Sequence, residues 1–162
     1  MYLIFVSLFL VSCGSIPQSS DSKPSSKGTI TEELKPYVDM FLDDAGEFRI
    51  RPDISGLDIK FKHIDRDNVA GTCIAYSSDP PDIYVDIRIW DRLCEIQRKM
   101  LIYHEMGHCV LGYGHRKKSI MNTKLYSCAF YEQNEPYLIR ELFVNDSELS
   151  LTEPEDSTGY EQ

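Results

Sequence analysis

Positive charge is in short supply along this chain: its 162 residues carry 17 lysines and arginines against 26 aspartates and glutamates, a formal charge of −9. A partner with a phosphate backbone needs a Lys/Arg-rich face to replace its counterions, so nucleic acid is excluded as a partner. Long apolar runs are missing as well. The most apolar stretch, residues 1–12, reads MYLIFVSLFLVS, whereas a helix that crosses a bilayer needs about 20 apolar residues. Tryptophan occurs once and histidine only four times, so any clustering of the histidines is informative. Core-forming residues are not scarce: 42% of the chain is apolar and 27% charged, which fits one folded domain and excludes disorder throughout.

Cysteine comes in an odd number, five, and the N-terminus accounts for the odd one. Residues 1–12 are uncharged and end at Cys13, which is followed by Gly14 and Ser15; a short apolar run of this kind is the core of an export signal. Leu10-Val11-Ser12-Cys13 resembles the lipobox of bacterial lipoproteins, in which the signal is cut before the cysteine and that cysteine carries lipid. No Lys or Arg precedes the run, a departure from the usual signal. The resemblance implies a signal peptide over 1–12, lipidation at Cys13, and a membrane of the bacterial cell envelope, with the domain periplasmic or extracellular. Cys73, Cys94, Cys109 and Cys128 then remain. Four cysteines in an exported chain suggest two disulfides, and the sequence permits three pairings.

Residues 13–28 hold the lipidated cysteine and a Ser-rich stretch with Pro17 and Pro24. Such a composition cannot bury enough surface to order itself and is expected to act as a flexible tether. At the other end, residues 146–162 contain Asp146, Glu148, Glu153, Glu155, Asp156 and Glu161 with no basic residue. Much of the net charge therefore lies in what is expected to be an acidic, disordered tail.

The folded domain is expected over 29–145. Thr31 is placed to cap a helix running through Asp44, with Leu34, Tyr37, Val38, Phe41 and Leu42 on one face. Phe48 and Ile50 give a weak strand signal, Leu57, Ile59 and Phe61 a stronger one, and Val69 to Tyr76 a more buried, central strand. After the turn at 78–82, Ile83, Val85, Ile87 and Ile89 alternate with Tyr84, Asp86 and Arg88, the clearest strand pattern in the chain. Asn134 to Phe143 reads as a packing helix. These elements make an α+β fold: a small mixed sheet against an N-terminal helix, a buried helix and a closing C-terminal helix.

The buried helix is Asp91 to Leu111, DRLCEIQRKMLIYHEMGHCVL, apolar nearly all round from Met100 onward, as a core helix is. Its middle nevertheless carries His104, Glu105 and His108. Positions four apart on a helix differ by about 40° in direction, so His104 and His108 point the same way, one turn apart. Two imidazoles so placed suit a metal ion that takes nitrogen ligands at about 2 Å, and Glu105 stands beside them to handle a proton. Burying this polar group without partners would cost several kcal/mol. Cys109 points about 100° away from His108 and is better suited to a disulfide than to the metal. Cys73 is its preferred mate, leaving Cys94 for Cys128. His63, at the end of a strand, is read as an ordinary histidine.

Gly112, His115 and the Ser119-Ile120-Met121-Asn122 turn extend the pattern to HEMGHCVLGYGH followed by SIMN. This resembles the metzincin clan of zinc peptidases, whose signature is HExxHxxGxxH followed by a methionine-containing turn. It is also similar to small bacterial lipoprotein metallopeptidases related to that clan, over roughly 37–143. The resemblance implies Zn²⁺ held by His104, His108 and His115, Glu105 as general base, Gly112 where the chain turns, and Met121 as a floor below the metal. One residue more separates His108 from Gly112 and His115 than in the clan pattern.

The implied activity is hydrolysis of a protein or peptide substrate by a zinc-activated water, carried out by a monomer. The strand at Ile83–Ile89 is expected to bind extended substrate by strand addition. No second oxyanion donor is identified: the clan's tyrosine, two after the methionine, is Thr123 here, and Tyr113 and Tyr126 read as packing residues. Two alternatives stay open. One is a zinc peptidase with Glu135 or Glu141 as third ligand in place of His115; the other is an exported zinc-binding lipoprotein without turnover.

Overall fold

A computed structural model describes residues 28–144 and 157–161. Cys13, the signal, almost all of the tether and residues 145–156 lie outside the described residues. The order of elements is α1 (Lys35–Glu47), β1 (Asp58–Phe61), β2 (Gly71–Ile74), β3 (Asp82–Val85), α2 (Ile87–Trp90), α3 (Glu95–Cys109), β4 (Lys124–Tyr126), α4 (Cys128–Val144) and β5 (Ser157–Glu161). The fold is α+β, as expected. Its three-stranded sheet has the order β1-β3-β2, with β1 parallel and β2 antiparallel to β3.

Helix α1 buries Tyr37, Val38, Phe41 and Ala45 along one stripe. It starts later than expected: Leu34 is its N-cap, and Thr31 contributes its carbonyl, accepting the N–H groups of Leu34 and Lys35, while its side chain caps nothing. The helix also runs past Asp44 to Glu47. Phe48 and Ile50 are not a strand but its closure. Arg49 takes φ +61°, and the Ile50 N–H returns to the Ala45 carbonyl at 2.9 Å, so Phe48 stacks on Phe143 at 5.6 Å.

The alternation at Ile83–Ile89 continues only halfway as a strand. Asp86 is fully buried, and its side chain accepts the Arg88 backbone N–H at 2.9 Å, which turns the chain into the short helix α2. Ile89 and Trp90 still reach the core, now from a helical turn. Because β3 lies between two partners, it is the interior strand and has no edge to offer a substrate. Strand β2, with Cys73, is an edge strand and not the central one expected.

Helix α3 is the centre of the molecule. Gln97 and the whole run Met100–Gly107 are buried, and the helix touches β2, β3, β4, α1 and α4. Both of its ends are stapled. Cys109 joins Cys73 of β2, and Cys94, the N-cap of α3, joins Cys128 at the start of α4. This is the preferred pairing, and two disulfides suit an oxidising or extracellular compartment. Helix α4 begins earlier than the expected Asn134, at Cys128, and carries Pro136 in its interior.

Strands β4 and β5 pair antiparallel. Residues 157–161 of the expected disordered tail are thus a strand: their backbone groups find ladder partners on Lys124–Tyr126. Among the described residues no helix is long and apolar enough to cross a membrane.

Candidate metal centre

The metal-binding candidates come from α3 and from the loop that follows it. His104 is buried, His108 half-buried and His115 exposed, and one ligand nitrogen from each lies within 4.8 Å of the others. The Nε2 atoms of His104 and His108 are 3.0 Å apart. Ring centroids of His115 stand 5.3 Å from His104 and 4.7 Å from His108. Among the described residues these three form a group that could hold a metal ion.

Backbone carbonyls orient two of the rings. Nδ1 of His104 lies 2.8 Å from the Ile120 oxygen, and Nδ1 of His108 lies 2.6 Å from the Tyr113 oxygen. A carbonyl only accepts, so each Nδ1 carries the proton and each Nε2 lone pair faces the centre, the tautomer a metal ligand needs. Burial pushes His104 down to about 3, helped by the neighbouring imidazoles and opposed by the bond to Ile120. His115, though exposed, is lowered too, by partial loss of solvent around its ring and by His108.

The route from α3 to His115 depends on one glycine. Val110 caps the helix, and Gly112 takes φ +70°, a left-handed conformation that glycine adopts without a Cβ clash. The chain then closes with the Tyr113 N–H on the Gly107 carbonyl at 2.9 Å, which presents the Tyr113 carbonyl to His108. Beyond His115, the Ser119 hydroxyl donates to the Arg116 carbonyl at 3.2 Å and accepts the Met121 N–H at 3.0 Å. This turn delivers Ile120 to His104 and Met121 to the underside of α3. Met121 is fully buried, and its sulfur fills the space that a side chain at Gly107 would need.

Glu105 does not belong to the group of mutually reachable ligands. It is 1% exposed, and burial pushes its carboxyl up to about 8, against the Cys73 backbone N–H, which favours the ionised form. Its Oε1 has no hydrogen-bond partner. A Cβ at Gly71 of β2 would lie 2.6 Å from that oxygen, so only glycine leaves room for the carboxylate there. Glu105 follows His104 in sequence, and its buried carboxyl with one unpartnered oxygen is the kind of group that a nearby cation with its water satisfies. The residues present therefore fit a metal ion that accepts nitrogen ligands.

The two glutamates considered as third ligands are engaged elsewhere. Glu135 pairs with Lys99 at 2.8 Å and Glu141 with Arg116 at 3.1 Å. His63 stands apart, 3.2 Å from Asp65. The Tyr126 hydroxyl accepts from Asn122 at 2.6 Å, and the Tyr113 ring lies under the Arg116 guanidinium; both act as packing residues. Sequence reasoning missed Gly71 and Gly107, whose role is to be absent as side chains, and the carbonyls of Ile120 and Tyr113, which any residue would supply. An isolated glycine inside a strand or a helix was the available signal for the first two.

No protein-family model, curated protein or solved structure matches the chain.

Proposed function

We propose that this chain is a metzincin-like zinc endopeptidase, anchored through Cys13 to a membrane of the bacterial cell envelope and working on protein or peptide substrates. One juxtaposition carries the reading: three imidazoles within ligand reach of one another, beside a buried carboxylate with an unpartnered oxygen. Zinc held by His104, His108 and His115 would supply Lewis acidity and a water of lowered pKa. Glu105 would take that water's proton at Oε1 as the scissile carbonyl is attacked, then return it to the leaving amine. The Cys73 N–H keeps the carboxylate directed, and Gly71 leaves it room. An extended substrate would add to the edge of β2 in place of the expected strand.

A non-catalytic zinc-binding lipoprotein needs a closed ligand set and no neighbouring base, which Glu105, with its unpartnered Oε1, speaks against. Zinc content and cleavage of a quenched-peptide library, measured for the parent, Glu105→Ala and His115→Ala, test the proposal. Glu105→Ala should keep its metal and lose cleavage; surviving activity would remove the mechanism. Full zinc in His115→Ala would overturn the ligand assignment. A parent that holds zinc and cleaves nothing in a broad library is the binding protein instead.

A further inference from the structure

The three histidines are not held alike. His104 and His108 each rest Nδ1 on a carbonyl. Among the described residues His115 makes no such bond, and it is exposed on a loop that begins at Gly112. Its neighbour in sequence, Arg116, is held on several sides. The Arg116 N–H donates to the Met121 carbonyl at 2.8 Å, its own carbonyl accepts from the Ser119 hydroxyl, and its guanidinium reaches Glu141 of α4 at 3.1 Å. The same guanidinium lies 5.0 Å from the centre of the Tyr113 ring, in the residue whose carbonyl orients His108. Leu142, beside Glu141, stands 3.7 Å from where a Gly107 side chain would begin. One turn of α4 thus backs both the metal helix and the loop.

Glu141 is only 8% exposed. A buried ion pair of this kind adds little net stability over apolar residues of the same size, and fixing a geometry is a better account of it. We propose that the Arg116–Glu141 pair is the positioning device of the third metal ligand: α4 grips the chain one residue past His115 and sets where its imidazole meets the other two. This rests on the metal-binding reading above.

The test uses the full chain. The double variant Arg116→Met/Glu141→Leu removes both charges without burying either alone, and Arg116→Lys keeps the charge but not the planar fork. Zinc affinity is measured by competition with a chromophoric chelator, coordination by the visible absorption of the cobalt-loaded protein, and folding by melting of the metal-free form. The double variant should bind zinc about 10–100-fold more weakly, as when other outer partners of metal ligands are lost, with weakened tetrahedral cobalt bands and a metal-free melt near the parent's. Arg116→Lys should fall between. Parent-like affinity and spectrum in the double variant overturn the positioning role; if that variant does not fold, parent-like values in Arg116→Lys do the same. A parent that takes up neither zinc nor cobalt overturns the metal reading, and this inference with it.

Discussion

Adding a single methyl group at Gly107 should destabilise this protein, although alanine is the better helix former. The substitution sits in the interior of α3, where replacing glycine with alanine gains about 1 kcal/mol of helix propensity. Against that, the new Cβ would overlap the Met121 sulfur and approach its terminal methyl at 3.1 Å, while Leu142 at 3.7 Å is an ordinary contact. Methionine is flexible, but Met121 is fully buried and its backbone is held on both sides, by Ser119 and by Arg116. Overpacking a filled core costs about 1–3 kcal/mol, so the net expectation is a loss of about 1 kcal/mol. The sign should reverse once the sulfur is removed. Met121→Ala alone should cost about 2–5 kcal/mol as a core truncation; in that background Gly107→Ala should stabilise, because only the propensity gain is left. Guanidinium unfolding of the four proteins with disulfides intact reads the cycle, provided the slopes agree. If Gly107→Ala stabilises equally in both backgrounds, Met121 does not press on α3, and the floor implied by the resemblance fails.

Three further outcomes follow from the geometry. Gly71→Ala would place a methyl 2.6 Å from Glu105 Oε1; with the proposed chemistry, cleavage should fall by about 100-fold, the usual effect of a misplaced reacting group, while bound zinc is retained, and full activity would show that β2 does not set the carboxylate. The hydrogen bond from Arg88 holds the Asp86 carboxyl well below the ordinary carboxylate value, so its contribution is complete above about pH 4 and is lost as pH falls through the lower folded value. Melting curves from neutral to acid pH should therefore decline less steeply for Asp86→Asn, and parallel acid limbs would contradict the assignment. The disulfides close loops with sequence separations of 36 and 34; replacing either pair with serines should cost up to about 4 kcal/mol on the chain-entropy model, and peptide mapping without reductant should recover Cys73 with Cys109 and Cys94 with Cys128.

The part of the fold that could be read in advance is the part where one pattern had one use. Helix α3 is apolar round its circumference because it is packed on all sides, and the same run that announces burial makes His104, Glu105 and His108 conspicuous. Gly112 was named through the resemblance alone, and its φ of +70° is the left-handed backbone that a reversal after a helix needs. The misread strand at Ile87 and Ile89 had a competitor that alternation cannot see: a buried Asp86 whose side chain takes the Arg88 N–H and starts a helix. Phe48 and Ile50 alternate for a similar reason, since a helix closing through Arg49 also throws every second side chain onto the core. Strand β4 is three residues long, too short for any period to show. Strand β5 lies among acidic residues whose composition says nothing of a backbone that a partner strand can recruit.

The backbone between His108 and His115 shows how this fold carries the chain from the helix to the third imidazole. In a regular helix each N–H returns four residues back. Here the Leu111 N–H returns five, to Met106 at 3.3 Å, and the Tyr113 N–H returns six, to Gly107 at 2.9 Å. The widening begins only after Cys109, the last residue of α3 and the one locked to β2 by its disulfide, so His104 and His108 keep helical geometry. Gly112 then reverses direction, and the extra length is spent in placing the Tyr113 carbonyl on His108. Downstream, the Met121 and Ser119 bonds to Arg116 close the loop, and Glu141 holds it from α4. The third imidazole thus reaches the others through a loop whose two ends are each pinned. A deletion of Leu111, restoring the spacing of the pattern the chain resembles, would remove the slack that lets Tyr113 meet His108.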